Sequence, residues 1–353
     1  MIESGIMRRI PVQFYFICFL IITGFPCFAF SLKPDTIRFA PYGGISYGEA
    51  REFVYWKDQV LSQLVWDLKP AASMGLQSSI GWIGGLQLNA NISACLPLES
   101  GHMTDSDFLN VEINGSAAKT QFSEHNAFIN YAYDFSCSAG WRFILPFSLP
   151  GGARNVSVEP NLGFRYMLWK WKSKDGYLQH PDEPNYPSQT DGSYTEWTED
   201  TEKVTVYGTP IIYQQQYYIP SAGFTVNIPI GLNWMLSFCF TGSFYVYCNA
   251  IDNHFLGTVY TGYWDYRDAP LSKDYYDFTS GGYMVDPGVS ITRNITESLS
   301  VFLDADWSYI WNLRGYTEVQ SSTGGAVSVY SEENGGGASF NTIQIKLGLN
   351  FRL

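Results

Sequence analysis

The chain has 353 residues, of which 17% are aromatic and only 15% are charged, a balance that excludes an intrinsically disordered protein. Its formal net charge of -12 argues against nucleic acid as a partner, because binding to phosphate depends on clustered lysine and arginine. A basic substrate or partner suits this charge better.

The N-terminus has the pattern of an export signal. Two arginines precede an apolar run over residues 14–28, and Ala29 supplies a small residue at the expected cleavage point. An N-terminal anchor helix is the alternative, but the run is shorter than the ~20 residues that span a bilayer. We therefore expect residues 1–29 to be a signal peptide that is removed, which leaves residues 30–353 as the mature chain.

The mature chain contains runs in which every second residue is apolar. Such runs cover residues 86–94, 156–168, 299–311 and 342–353. They exceed the five or six residues of a usual soluble strand and approach the ~9–11 of a membrane strand. A soluble β-sandwich is the alternative. We expect an all-β protein that forms a closed antiparallel transmembrane β-barrel.

Short and long connections alternate between these runs, as they do in bacterial outer-membrane barrels. Short periplasmic turns are expected at residues 83–85, 149–153, 228–232 and 294–297. Long extracellular loops are expected at residues 48–59, 99–123, 173–201, 249–275 and 314–337. Four turns and five loops join about ten strands, an even number that suits closure.

Aromatic residues at the loop ends of two runs suggest an interfacial girdle. They are Trp169, Trp171, Trp307, Tyr309 and Trp311. Burial in a protein core is the alternative for any one of them.

Four cysteines remain in the mature chain, and the sequence argues against disulfides between them. Cys239 and Cys248 lie on one extended run, roughly 30 Å apart at ~3.3 Å per residue, which is beyond bonding distance. Cys95 lies on the polar phase of its run and Cys137 on the apolar phase, so these two should face opposite sides.

Two short pairs in the expected loops carry groups suited to catalysis. Asp105 and Asp107 are two residues apart, which places both carboxylates on one face of an extended segment. Asp252 and His254 have the same spacing, and a carboxylate beside a histidine is a general-base arrangement. Taken singly, each pair is more often a turn, a solvated face or a cation site.

Motifs in order along nearly the whole mature chain resemble those of the omptins, outer-membrane proteases with ten-stranded barrels. Residues 101–108 read GHMTDSDF, which is similar to the family's G-x-M-x-D-x-D-W segment with Phe108 in place of tryptophan. The matching segments are residues 48–55, 62–66, 101–108, His125, 130–132, 213–215 with Pro220, and 252–254.

The resemblance implies an endoprotease that forms no covalent intermediate and requires no metal or cofactor. Asp252 would orient His254, which would activate a water molecule. Asp105 and Asp107 would face this pair across the cleft, hold the water and stabilise the tetrahedral intermediate while they share a proton. Glu52 matches the acid that recognises a basic side chain before the cleaved bond. The implied partners are a basic peptide or protein substrate and outer-membrane lipid.

Three departures from the family pattern concern specificity and lipid. The acid expected two residues before the Asp-x-His pair is Ala250, and the acid expected ahead of His125 is Gln121. Cleavage between two basic residues therefore does not follow from the sequence. The stretch that corresponds to the family's lipid A site, residues 165–172, reads RYMLWKWK and leaves dependence on lipopolysaccharide open.

Two rival functions fit the same architecture. A catalytically inactive barrel that acts as an adhesin or porin would be unaffected by Asp252→Ala. A metal-binding surface protein would use the carboxylates and the histidine as ligands and would respond to a chelator.

Strict alternation conflicts with the proposed role of His254. Five apolar residues mark a lipid-facing phase, namely Leu236, Phe238, Phe240, Phe244 and Val246. Counting on by twos would place Asp252 and His254 outside the barrel. A one-residue slip exchanges the two faces of a strand, and a β-bulge is the usual device. We therefore expect a bulge between Val246 and Asp252, or an early end of the strand.

Overall fold

The computed structural model describes residues 34–146, 155–182, 189–323 and 326–353. The expected signal peptide and the expected turn at residues 149–153 lie outside the described residues. All of the described strands belong to the unit Asp35–Leu353.

Across its described residues the chain forms long strands and one four-residue helix, α1 (Asn110–Ile113). The strands are β1 (Thr36–Trp56), β2 (Gln59–Gly81), β3 (Leu86–Cys95), β4 (Glu99–Asp107), β5 (Gln121–Trp141), β6 (Phe143–Ile144), β7 (Ser157–Gln179), β8 (Val204–Gly208), β9 (Ile211–Ile230), β10 (Trp234–Ser243), β11 (Val246–Phe255), β12 (Thr258–Tyr260), β13 (Tyr263–Tyr266), β14 (Ser272–Asn294), β15 (Leu299–Ser321) and β16 (Ser328–Arg352). In the part of the chain that the structure describes, no helix has the length and apolar character needed to cross a membrane.

Antiparallel pairing closes the strands other than β6, β8, β12 and β13 into a ring. β3 and β4 both pair with β2 and β5, and β10 and β11 both pair with β9 and β14, so each of these couples acts as one interrupted strand. The ring order is β1, β2, β3 with β4, β5, β7, β9, β10 with β11, β14, β15 and β16, and β16 pairs back onto β1. The prediction of a closed antiparallel barrel of ten strands is confirmed.

The strands are much longer than expected, and the expected loops are correspondingly wrong. β2, β7, β14 and β15 have 23 residues each, which at ~3.3 Å per residue far exceeds the ~30 Å thickness of the hydrocarbon core. Residues 48–59, expected as a loop, are strand except for a two-residue turn, and residues 249–255 and 314–321 belong to strands. Beyond the apolar band, the outward side chains of the strands become polar and the inward side chains pack a core. The alternation that marks a membrane strand is therefore lost there, and the sequence has the polar character of a loop.

The outward face of the strands carries an apolar band that suits lipid. Large apolar side chains that point outward and are exposed include Phe39, Ile45, Met74, Ile92, Phe135, Leu162, Phe224, Phe238, Val289, Leu303, Ile343 and Leu347. The short turns between β2 and β3, β9 and β10, and β14 and β15 lie at the same end of the barrel as Thr36 and Arg352.

A layer of aromatic side chains fills the interior beyond this band. Trp66 packs against Trp171 and Tyr213, with ring centroids 6.2 Å and 5.9 Å apart. Trp169 packs between Trp171 and Phe340 at 5.6 Å and 5.3 Å. The assignment of Trp169 and Trp171 to an interfacial girdle is therefore wrong, because both lie on the inward phase of β7.

A charged layer lies below the aromatic layer, within the membrane-spanning part of the barrel. Arg165 donates to Asp134 and, at 2.7 Å, to Asp286, and Lys346 donates to Asp306 at 2.6 Å. These pairs satisfy charges that an apolar environment would leave unstable. The four cysteines of the described residues are free thiols, as the sequence indicates.

Candidate functional site

A cleft of about 360 Å³ lies at the end of the barrel opposite the short turns. Its lining includes all five candidate residues: Glu52, Asp105, Asp107, Asp252 and His254. They come from β1, β4 and β11, so barrel closure brings together residues that are far apart in sequence.

A change of strand phase directs Asp252 and His254 into the cleft. Phe244 and Tyr245 are consecutive and both exposed, whereas Val246 is fully buried and begins an inward phase on even-numbered residues. The register with β9 slips by one residue here, from Gly242 opposite Ala222 to Tyr247 opposite Tyr218.

The predicted position of this slip was wrong. We expected a break between Val246 and Asp252, but β11 pairs without interruption from Val246 to Phe255 on its β14 side. The break lies before Val246. On β14, the facing residues Gly281 and Gly282 have φ of 83° and 60°, a left-handed conformation that glycine adopts without strain. Both strands therefore change phase together, which keeps their mutual register.

Asp252 and His254 form a direct pair. His254 Nε2 donates to Asp252 Oδ2 at 2.5 Å, and Asp252 is only 2% exposed. The ring of Tyr275 lies edge-on to the imidazole, with centroids 5.4 Å apart. Burial of the imidazole opposes its protonation, but the carboxylates of Asp252, Asp105 and Asp107 outweigh burial and raise the pKa of His254 to about 9.

Asp105 and Asp107 lie on one face of β4, which is held between β2 and β5. Burial raises the pKa of the Asp105 carboxyl well above its usual range, and the neighbouring charge of Asp107 adds to this shift. Burial also raises the pKa of Asp107, while a hydrogen bond with Ser62 opposes the shift. Two such carboxyls in one cleft are suited to holding a single proton between them.

Glu52 is 4% exposed, and the backbone of the preceding residue, Arg51, is hydrogen-bonded to a side chain of β9. Gln215 Nε2 donates to the carbonyl oxygen of Arg51 at 2.9 Å, and Tyr217 donates to Gln215 Oε1 at 2.9 Å. The Tyr-Gln-Gln segment singled out in the sequence thus braces β1 beside the cleft. Burial raises the pKa of Glu52 well above its usual value, and the negative charges of Asp252 and Asp277 raise it further.

The other wall of the cleft carries uncharged polar groups at Gln121, Ser123 and His125. His125 Nδ1 donates to the carbonyl oxygen of Asp175 at 2.7 Å, and burial lowers the pKa of His125 to about 4. His125 is therefore neutral at pH 7. His180 also lines this wall and was missed in the sequence, because it belongs to no short motif.

No group of three or more His, Cys, Asp or Glu side chains within the described ranges has the arrangement of a metal site.

A buried acid near Glu52 that was missed in the sequence is Asp277, on β14 next to β11. Its only signal is cross-strand register, since it lies directly opposite Ala250.

Comparisons with known proteins agree with this architecture. A family model described as the Omptin family matches residues 33–353. The plasminogen activator of Yersinia pestis is 24% identical over 329 residues, which cover 91% of this chain and 91% of that protein. The outer membrane protease OmpT from Escherichia coli has a TM-score of 0.71 at 18% identity, covering 92% of this chain and 98% of its own. At that identity the structural likeness speaks to the fold.

Proposed function

Because the chain belongs to the omptin family, we propose that it is an outer-membrane endoprotease in which Asp252 and His254 activate water for peptide-bond hydrolysis. The observation that carries the proposal is the direct hydrogen bond between Asp252 and His254 in a cleft shared with Asp105 and Asp107. A base held by one carboxylate and flanked by a carboxyl pair has the groups that water activation needs.

The proposed reaction begins with neutral His254. Its Nε2 is engaged by Asp252, which leaves Nδ1 to accept a proton from the attacking water. Asp252 stabilises the imidazolium that forms, and His254 then returns the proton to the leaving amine. Asp105 and Asp107, with one proton between them, position the water and donate a hydrogen bond to the developing oxyanion. No step requires a covalent intermediate.

The proposed substrate is a peptide or protein with a basic residue before the cleaved bond. Glu52 is a buried carboxyl at the edge of the cleft, and a cationic substrate side chain beside it would favour its ionised form and pair with it. The opposite wall at Gln121 and His125 carries no acid, so this site places no demand for a second basic residue after the bond.

The cleft is proposed to face outward from the cell, because short turns mark the periplasmic end of bacterial barrels and the cleft lies at the other end. Lipid remains a proposed partner. Arg165 points into the barrel, whereas Lys170 and Lys172 lie on the other face of β7, 5.8 Å and 6.0 Å from the rings of Tyr131 and Phe128. These two lysines supply the outer-wall positive charge in residues 165–172.

A passive pore is the second candidate, and the interior of the barrel argues against it. The aromatic layer of Trp66, Trp171, Tyr213 and Phe340 is fully or almost fully buried across the lumen, where a porin keeps an aqueous channel. Activity measurements distinguish the proposed protease from an inactive adhesin and from a metal-dependent surface protein.

The test is digestion of a peptide library by the refolded protein, with products identified by mass spectrometry. We expect cleavage after lysine or arginine, no loss of activity with a chelator, and loss with His254→Ala. Parallel reactions with and without lipopolysaccharide determine the lipid requirement. Absence of cleavage in every lipid condition contradicts the proposal, and inhibition by the chelator favours the metal-binding alternative.

A further inference from the structure

A second buried carboxyl lies next to Glu52 and takes no part in the proposed proton transfers. Asp277 of β14 is 1% exposed, and Thr317 of β15 donates to its Oδ1 at 2.6 Å. Within the described part of the chain, neither Glu52 Oε2 nor Asp277 Oδ2 receives a hydrogen bond from any other residue. The two carboxyls instead hydrogen-bond with each other, with Glu52 as the donor. They therefore form a buried pair of acids that shares one proton.

The described residues provide neither carboxyl with a cation. The salt bridges of this part of the chain involve neither Glu52 nor Asp277. Burial raises the pKa of Asp277 to about 6, while the hydrogen bonds from Thr317 and Glu52 oppose this shift. A buried charge is stabilised by a partner of opposite sign, and a substrate side chain can provide one.

The strand register explains how Asp277 relates to the acid that is missing at position 250. Ala250 and Asp277 are direct cross-strand partners, so their side chains lie on the same face of the sheet. A carboxyl from β14 therefore reaches the region that a side chain at position 250 would occupy. Gly336 of β16 leaves room for the hydrogen bond between Thr317 and Asp277, since a Cβ there would lie 3.1 Å from Thr317 Oγ1 and 3.4 Å from Asp277 Oδ1.

We propose that Asp277 is a specificity-determining residue that acts together with Glu52 to select a lysine or arginine side chain before the cleaved bond. This inference rests on the proposed proteolytic function. Glu52 and Thr317 both line the cleft, while Asp277 accepts the hydrogen bond of Thr317 from behind the lining and sets the charge of the pocket. The effect of Asp277 should therefore appear in binding of a basic side chain and leave the water-activating groups unchanged.

The first experiment compares two peptides that differ only by arginine or glutamine before the cleaved bond. Asp277→Asn keeps the shape of the side chain and its hydrogen bond with Thr317 while removing the charge. We expect the preference for arginine, as the ratio of kcat/KM values, to fall about ten- to hundredfold, mainly through KM. The matched control is Asp274→Asn on the same strand, where the carboxyl binds Asn253 and Ser272; its preference should equal that of the wild type.

A rescue variant distinguishes charge from a merely structural role. Asp277→Asn combined with Ala250→Asp returns a carboxylate to the same cross-strand pair, and we expect the preference for arginine to be restored at least in part. Equal loss of activity on both peptides with Asp277→Asn, or no recovery in the double variant, overturns the proposal. Migration of unheated samples on detergent gels verifies that each barrel is folded.

A binding measurement makes the inference independent of turnover. In the His254→Ala background, calorimetry should show tighter binding of the arginine peptide than of the glutamine peptide, and Asp277→Asn should remove this difference. Selective binding without any cleavage by the wild type would contradict the proposed function and support the role of Asp277. Equal binding of both peptides to the protein with Asp277 intact overturns that role.

Discussion

The hydrogen bond between His254 Nε2 and Asp252 Oδ2 joins the two side chains that we propose to act as one proton acceptor. His254→Ala and Asp252→Ala should each remove nearly all turnover, and the double variant should be little worse than either single one, because residues that act as a unit are not additive. Steady-state kinetics on one arginine peptide measures this. Losses that multiply in the double variant would show that the two residues act on separate steps.

The charge around His254 also sets a pH dependence. A base works in its neutral form, and the pKa of His254 is raised to about 9, so the active fraction grows as pH rises from 6 towards 9. We expect kcat/KM to increase across this range. Asp252→Asn removes the largest favourable charge and should shift the rising limb of any residual activity to lower pH. A wild-type profile that is flat from pH 6 to 9 would contradict His254 as the base.

Short spacings in the sequence identified the residues of the site that are neighbours along one strand. Asp105 with Asp107 and Asp252 with His254 are such pairs, and their order along the chain supported the resemblance to a family. Asp277 could not be found in this way, because its closeness to Glu52 depends on the pairing of β14 with β11 and on barrel closure. Local pattern therefore indicated the proton-transfer groups and missed the second acid of the pocket.

At the scale of the strand, alternation predicted the barrel but neither the length of its strands nor the place where their faces exchange. The conflict between phase and function was visible in the sequence, since Phe244 and His254 are both even-numbered. The structure places the phase change at Phe244 and Tyr245. The sequence could not locate it, because a phase change can be placed only when the pairing with the partner strand is known. The glycine pair at Gly281 and Gly282 was the overlooked signal.

Deletion of Tyr245 tests whether this phase change orients the site. Removal of one residue should return β11 to the phase of β10 and turn Asp252 and His254 towards the outer wall, so activity should be lost even where the barrel still folds. The matched control is Tyr245→Ala, which keeps the chain length and should keep most of the activity. Peptide cleavage with gel migration of unheated samples measures both properties. Full activity of the deletion variant would show that the orientation of Asp252 and His254 depends on local rearrangement and not on the register of β11.

At the scale of the whole molecule, the barrel interior is divided into three levels along its axis. A polar cavity of about 480 Å³ lies towards the short turns and is lined in part by the charged layer of Arg165. The aromatic layer lies between this cavity and the cleft. The aromatic layer forms the floor of the cleft. The charged layer links strands that are not neighbours in the ring, since Arg165 of β7 contacts Asp286 of β14 as well as Asp134 of the adjacent β5.

Loss of Arg165 should therefore weaken the entire barrel. Arg165→Met leaves Asp134 and Asp286 without their shared cation, and breaking a buried pair on one side destabilises a protein by roughly 3–5 kcal/mol. The polar cavity gives these carboxylates some contact with solvent, which places the expected effect near the lower end of that range. Unfolding by urea in lipid vesicles measures this loss of stability.

Lys172→Met, on the outward face of β7, is the control and should change stability by less than about 0.5 kcal/mol. Equal stability of the two variants would mean that the acids of the charged layer are compensated without Arg165.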